Sequence, residues 1–116
     1  MALTKGFITI ATGKEQYYKI AQNLLRSYRF TTENPLPFAL LCDTENEYTK
    51  EFDDVRLFEN PTCSYLDKLN MFALLPYDIN IFIDADCLVY RDINRLFDIF
   101  EKFLLVLRVL IYLHLP

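Results

Sequence analysis

Residues 79–92 read INIFIDADCLVYRD, and much of the fold can be worked out from them. The apolar run 81–83 follows a turn at 76–78 and predicts a short strand buried on both faces, as in a parallel sheet covered by helices. Two carboxylates, Asp84 and Asp86, come directly after this strand. If the chain stays extended there, both side chains lie on the same side, because side chains alternate along a strand.

Asp84 and Asp86 predict a metal site. Two carboxylates at the carboxyl end of a central strand suit a hard divalent cation, Mg²⁺ or Mn²⁺, together with a phosphate ligand. A structural interpretation stands beside it, since Asp-x-Asp also occurs in loops, where the side chains cap helices or form Asx turns. The buried strand before the pair favours the metal, because buried charge requires compensation.

The first 43 residues predict a βαβ unit. Residues 7–11 favour one strand, and residues 38–42 favour a second buried strand that ends at Asp43. Between them lies a helix whose start is predicted at a capping box formed by Thr12 and Glu15. Since the two strands of such a unit are parallel, Asp43 is expected at the carboxyl edge, where ligands bind in open α/β sheets.

The helix is predicted to end near Arg29 and to bury one apolar face. The residues of that face are Tyr17, Ile20, Ala21, Leu24, Leu25 and Tyr28. Further along, the pattern predicts a short helix around 47–52, a strand at 55–58 and a helix at 65–75. The last predicted helix has an apolar face formed by Ile93, Leu96, Phe97 and Phe100.

Composition indicates a single folded domain, since 53% of the 116 residues are hydrophobic. A net charge of −4 with no basic stripe argues against a nucleic-acid partner. The cysteines Cys42, Cys63 and Cys87 are odd in number and lack C-x-x-C spacing, which predicts reduced core residues in a cytoplasmic protein. The first ten residues show no secretory pattern.

Residues 103–116 form an almost wholly apolar tail of undetermined role. The tail is shorter than the ~20 residues that span a bilayer, and Arg108 interrupts it, which argues against a transmembrane helix. A buried helix, a membrane-surface contact, self-association and the end of a truncated product all stay open. We therefore divide the chain into a domain at 1–102 and a tail at 103–116.

Two nucleotide-binding motifs are excluded. Six residues separate Gly6 from Gly13 and Lys14 precedes Glu15, so the chain has no P-loop. A Rossmann fingerprint needs three glycines, and the chain has two. A phosphohydrolase of the haloacid dehalogenase type stays a less favoured alternative, because its Asp-x-Asp normally follows the first strand and continues into Gly-Thr.

Four local pieces together resemble a known family. They are Ile10-Ala11-Thr12 with Tyr17, Asp43, Asp67-Lys68-Leu69, and residues 83–89 with Asp84-Ala85-Asp86 as a DXD motif. With these pieces, as far as about Glu101, the sequence resembles the N-terminal half of a glycosyltransferase with the A-type fold. It is most similar to glycosyltransferase family 8, the glycogenin and bacterial lipopolysaccharide galactosyltransferase group. The resemblance implies a three-layer α/β/α Rossmann-like sheet that is mostly parallel, and it leaves open whether the chain is truncated relative to the family.

The resemblance implies transfer of a sugar, with retention of configuration, from a UDP-sugar donor to an unidentified glycan, lipid or protein acceptor. Ala11 and Thr12 would contact the uridine, and Tyr17 would stack on the uracil. Asp43 would contact the base, and Lys68 would lie near the diphosphate. Each has a structural alternative: core packing for Tyr17, a turn or cap for Asp43, and a solvated helix position for Lys68.

In the same resemblance, Asp84 would contact the ribose and the Mn²⁺ or Mg²⁺ ion, and Asp86 would bind the ion directly. Family members add a C-terminal half with the acceptor site and a metal-binding histidine in a His-x-x-Gly-x-x-Lys-Pro setting. The one histidine here, His114, lacks that setting. No catalytic nucleophile or base is identified, so a truncated, non-catalytic domain that binds nucleotide-sugar and metal is the alternative function.

Overall fold

The computed structural model describes residues 3–58, 71–101 and 109–113. Within them the chain is an α/β fold with five strands: β1 (Lys5–Ala11), β2 (Phe38–Cys42), β3 (Asp54–Leu57), β4 (Ile79–Ile83) and β5 (Val109–Leu113). These strands form one sheet in the order β3-β2-β1-β4-β5, and every neighbouring pair is parallel. The order therefore reverses between β1 and β4, which lie side by side at the centre.

Both α-helices of the described ranges, α1 (Glu15–Thr31) and α2 (Arg95–Glu101), contribute to the core on one face of the sheet. The cluster on this face joins Phe7 of β1 and Phe97 of α2 to five buried side chains of α1. Those five are Tyr18, Ala21, Leu24, Leu25 and Tyr28. Phe7 lies with its ring centroid 4.8 Å from that of Tyr28 and 5.0 Å from that of Phe97.

The other face of the sheet carries a second, smaller core cluster. Ile8, Leu41 and Phe82 belong to it, together with Leu75 and Tyr77 from the segment before β4. No α-helix of the described ranges contributes to this cluster. The α/β class and the parallel sheet are thus confirmed, while the described residues supply α-helices to one face only.

The buried face of α1 differs from the prediction at its first two positions. Tyr18 is 2% exposed, whereas Tyr17 is 45% and Ile20 is 36% exposed. The helix is rotated so that Tyr18, Ala21, Leu25 and Tyr28 form the stripe, with spacings of three and four residues that place side chains on one face. The prediction that Tyr17 and Ile20 belong to the core face is therefore wrong.

The predicted capping box is also absent. The N-cap of α1 is Lys14, and no side chain caps it. Gly13 adopts φ 87°, a left-handed conformation that glycine tolerates without steric cost. Because the N-cap is Lys14 and the helix begins at Glu15, Thr12 lies before the cap and Glu15 is the first helical residue. The pair therefore does not occupy the N-cap and third helical positions that the motif requires.

Other elements match the predictions to within a few residues. The short predicted helix at 47–52 is a 3₁₀ helix at Thr49–Glu51, and the third strand begins one residue early, at Asp54. Of the helix predicted at 65–75, residues 65–70 lie outside the described ranges, and Met71–Leu74 is a 3₁₀ helix. Cys42 and Cys87 are buried, as predicted, and Cys63 lies outside the described ranges.

The apolar tail contributes a strand that the sequence did not predict. β5 pairs in parallel with β4 along its whole length, from Ile79↔Val109 to Ile83↔Leu113. The strand thus extends the sheet beyond β4, although residue 103 was the predicted domain boundary. None of the helices in the described ranges is long and apolar enough to cross a membrane.

Gly6 gives the first testable prediction. A Cβ atom there would lie 2.7 Å from the backbone oxygen of Pro37 and closer still to the ring of Tyr77. The ring has little freedom to move, because it is buried and its hydroxyl donates a 2.7 Å hydrogen bond to Asp54. Gly6→Ala should therefore destabilise the fold by about 1–3 kcal/mol, as overpacking does, measured by urea unfolding.

The matched control for Gly6→Ala is Asn23→Ala, an exposed helix position where the change removes no buried contact. Its unfolding midpoint should stay close to that of the wild type or rise slightly, since alanine favours helix. An unchanged midpoint for Gly6→Ala would show that β1 and the segment before β4 do not approach as closely as described.

Candidate functional site

The carboxyl ends of four neighbouring strands lie at one edge of the sheet. Ala11 pairs with Cys42, Cys42 pairs with Leu57, and Ile8 pairs with Phe82 one residue before β4 ends. The loop 12–14 after β1 and the segment 84–87 after β4 therefore follow adjacent parallel strands. This is the edge at which open α/β sheets bind ligands.

The acidic pair after β4 lies in a turn. The backbone N–H of Cys87 donates to the carbonyl oxygen of Asp84 at 3.0 Å, which closes a four-residue turn over Asp84-Ala85-Asp86-Cys87. The chain is therefore not extended at this point. The prediction that both carboxylates lie on the same side required an extended chain and loses its basis. Asp84 is only 6% exposed at the end of β4, while Asp86 is exposed.

Asp43 links the loop after β1 to the end of β2. Its Oδ2 accepts a hydrogen bond from the backbone N–H of Gly13 at 3.1 Å, and its Oδ1 accepts one from the hydroxyl of Tyr18. The same hydroxyl accepts a 3.2 Å hydrogen bond from the backbone N–H of Thr44. Both carboxylate oxygens of Asp43 thus have protein donors, which fits the turn-and-cap alternative for this residue.

Tyr18 was not a predicted site residue, yet it forms the centre of this group. Burial, and then its hydrogen bond to Asp43, raise the pKa of the Tyr18 hydroxyl well above its usual value. The hydroxyl therefore stays protonated and keeps its donor role at neutral pH. The sequence signal was the adjacent pair Tyr17-Tyr18. The apolar pattern favoured Tyr17 as the buried residue, whereas Tyr18 is the one that is buried.

The remaining predicted nucleotide-binding residues differ in how exposed they are. Ala11 is 2% exposed at the end of β1, and Thr12 is partly buried in the loop that follows. Tyr17 lies in the first turn of α1 with 45% of its surface exposed, so its ring is accessible to a ligand. Lys68 lies outside the described ranges.

Metal-binding capacity at this edge depends on Asp84 and Asp86. Among the described residues, no group of three or more His, Cys, Asp or Glu side chains is arranged to hold a metal ion. A pair of carboxylates is sufficient only where the ligand supplies further oxygens, as a diphosphate does for Mg²⁺. His114 lies outside the described ranges.

Two surface cavities in the described part of the chain lie away from the acidic turn. One, of about 660 Å³, is lined by Lys5 at the amino end of β1 and by Arg91, Asp92, Arg95 and other residues near α2. The other, of about 480 Å³, is lined by residues of the 45–55 segment. Neither includes any of the predicted site residues, so the site at the carboxyl edge is assigned by residue chemistry and topology.

No protein-family model matches the chain, and no curated protein matches it either. The functional assignment therefore depends on the residues at the carboxyl edge and on the resemblance described above.

Cys42, which lies beside this edge, gives a prediction about pH. Burial raises the pKa of the Cys42 thiol to about 11, from an ordinary value near 9. Since the thiolate is the reactive form, native protein at pH 8 should leave Cys42 unmodified by iodoacetamide, whereas unfolded protein should be alkylated. Peptide mass spectrometry of the two samples measures this.

The sign of the accompanying stability change follows from the raised pKa. The protonated thiol favours the folded state, and that stabilisation is complete below pH 9 and is lost as pH rises from 9 to 11. The free energy of unfolding of Cys42→Ala should therefore fall less between pH 9 and pH 11 than that of the wild type. Rapid native alkylation of Cys42 at pH 8 would contradict its burial at the end of β2.

Proposed function

We propose that this chain binds a UDP-sugar with Mn²⁺ or Mg²⁺ and transfers the sugar to a glycan, lipid or protein acceptor. The observation that carries the proposal is the position of two segments, the loop 12–14 and the acidic turn 84–87. They follow β1 and β4, the strands between which the strand order reverses. Such a reversal leaves a crevice outside the strand ends, where nucleotides bind in α/β proteins.

The proposed fold is the three-layer α/β/α sheet of A-type glycosyltransferases. The strand order β3-β2-β1-β4-β5 supports it, since doubly wound nucleotide-binding sheets share that order. The second core cluster also supports it, because an apolar sheet face must be covered by another layer. Phe82 and Leu41 on that face are each nearly inaccessible.

The acidic turn fits a hard divalent cation. Carboxylate oxygens are ligands that Mg²⁺ and Mn²⁺ prefer, and both ions keep open positions for phosphate oxygens and water. Asp86 is exposed and would hold the ion, while Asp84, at the buried end of β4, would contact the ion and the ribose. A bound ion stabilises the negative charge that develops on a diphosphate leaving group.

The loop after β1 and the start of α1 fit the nucleoside. Tyr17 offers an accessible aromatic ring for stacking on uracil, and Ala11 and Thr12 lie where the chain leaves the sheet. Asp43 lies at the end of the adjacent strand β2 and contacts the same loop through Gly13. Lys68 is proposed to lie near the diphosphate, as the family resemblance implies.

The central prediction concerns Asp86. Wild-type protein should gain thermal stability from UDP and Mn²⁺ together, by about 2.7 kcal/mol at ligand concentrations 100 times the dissociation constant. Asp86→Ala should lose this stabilisation and keep the melting temperature of the free protein, because an exposed carboxylate contributes little to folding. Thermal melts with UDP, with Mn²⁺, with both and with neither measure the effect.

Asp98→Ala is the matched control for Asp86→Ala. Asp98 is also exposed, carries the same charge, and lies in α2 beside the cavity at the opposite edge of the sheet. It should retain the full response to UDP and Mn²⁺. A wild-type melt that neither ligand shifts would remove the proposed site, while binding without UDP release from a UDP-sugar would favour the non-catalytic alternative.

Tyr17 separates nucleoside recognition from metal binding. Tyr17→Ala should weaken UDP binding in the presence of Mn²⁺ by about 1–3 kcal/mol, the usual worth of stacking a base on an aromatic ring. Tyr17→Phe should bind UDP nearly as well as wild type, since the ring is retained. Isothermal titration of all three proteins measures this, and unchanged UDP affinity in Tyr17→Ala would exclude stacking.

A further inference from the structure

Three segments of the chain meet at the carboxylate of Asp43. Tyr18, in the first turns of α1, donates to Asp43 at the end of β2 and accepts from the backbone of Thr44. Asp43 in turn accepts from the backbone N–H of Gly13 in the loop after β1. We call these four residues, Gly13, Tyr18, Asp43 and Thr44, the carboxyl-edge clamp.

The clamp contacts the loop that connects β1 to α1. Gly13 has φ 87°, and the N-cap of α1 has no side-chain hydrogen bond. The loop therefore lacks the usual side-chain cap at this helix start. The hydrogen bond from the Gly13 N–H to Asp43 is a side-chain contact that holds the loop, and the Tyr18 hydroxyl bonds the same carboxylate.

The clamp also changes the role expected for Asp43. A carboxylate whose two oxygens already accept hydrogen bonds from a buried hydroxyl and a backbone N–H is held in one orientation. Asp43 would then influence ligand binding by holding the loop 12–14 and not by contacting the base directly. Tyr18 is 2% exposed, so it acts without touching the ligand itself.

We propose that Tyr18 is a positioning residue for the nucleotide site: through Asp43 it holds the loop 12–14 in the conformation that receives the nucleoside. This inference rests on the proposed function for its ligand, and on the described hydrogen bonds for its geometry. A preorganised loop binds more tightly because the entropy of ordering it has already been lost.

Tyr18→Phe tests the proposal, because it keeps the buried ring and removes only the hydroxyl. UDP binding in the presence of Mn²⁺ should weaken about tenfold by isothermal titration, as for loss of a hydrogen bond to a charged group. Mn²⁺-dependent binding of inorganic diphosphate, which has no nucleoside, should change less than twofold. A purely structural role would not separate these two ligands.

Tyr28→Phe is the matched control from the same helix. Tyr28 is as buried as Tyr18, and its hydroxyl likewise donates one hydrogen bond, to Asn94, and accepts another, from the Leu36 N–H. Its partners lie toward the opposite edge of the sheet, so Tyr28→Phe should lose stability and keep wild-type affinity for UDP. Equal weakening in both variants would overturn the proposal.

A second readout does not depend on any ligand. The chain has two glycines, Gly6 and Gly13, so protein labelled with ¹⁵N-glycine gives two amide signals. In Tyr18→Phe the Gly13 amide should exchange with solvent at least tenfold faster than in wild type, while Gly6, inside β1, should exchange unchanged. Should Tyr18→Phe not fold, Asp43→Ala removes the acceptor of both hydrogen bonds, and the Gly13 amide should again exchange faster than in wild type.

The outcomes separate this inference from the proposed function. Wild-type binding of UDP and Mn²⁺ with an unaffected Tyr18→Phe would overturn the role of Tyr18 and leave the proposed function in place. Absence of wild-type binding would overturn both, and the Gly13 exchange rate would then show whether the clamp orders the loop. Weakened UDP binding with faster Gly13 exchange supports the proposal.

Discussion

The structure depends on the parallel pairing of β1 with two partners. β1 pairs with β2 on one side and with β4 on the other, so its backbone hydrogen bonds tie the first and second halves of the chain together. A central strand of this kind has to be apolar on both faces, and Phe7 and Ile8 belong to the two opposite core clusters. Parallel pairing also collects the carboxyl ends of all three strands at one edge.

Two tyrosines of α1 connect that helix to opposite edges of the sheet. Tyr18 and Tyr28 lie ten residues apart, about 15 Å along the helix axis at 1.5 Å per residue. Tyr18 bonds the segment after β2, whereas Tyr28 bonds Asn94 and the segment before β2. Burial raises the pKa of Tyr28 to about 12, so each hydroxyl stays protonated and can both donate and accept. The helix is thereby fixed in rotation as well as in position.

The sequence predicted the parts of the fold that local patterns determine. The runs 7–11, 38–42 and 81–83 identified three central strands because a strand buried on both faces must be continuously apolar. β5 was missed because a long apolar tail has no period that distinguishes strand from helix. β5 is recognised as a strand by its pairing with β4, which is a tertiary contact and not a local sequence pattern.

The errors near the site have a common physical origin. Tyr17 and Tyr18 are chemically identical, and either fits a helical stripe with Ala21 and Leu24, so periodicity alone could not choose. The choice is made by Asp43, 25 residues away, which offers the Tyr18 hydroxyl an acceptor. Asp43 also accepts from the Gly13 N–H just before the helix start, where the sequence predicted a capping box and the structure has no side-chain cap. The nucleotide-binding roles stay predictions.

Charge at the carboxyl edge constrains how the proposed ligands would bind. Asp43, Asp84 and Asp86 all follow strands that end there, on a chain whose net charge is already −4. A nucleoside diphosphate entering alone would meet like charges at this edge. A divalent cation bound at Asp84 and Asp86 would make the local charge that faces the diphosphate positive instead of negative. Because coupling between two ligands is reciprocal, the diphosphate would then increase the affinity for the cation by the same factor. Binding that requires both ligands is thus the expected behaviour of this edge, whichever sugar the donor carries.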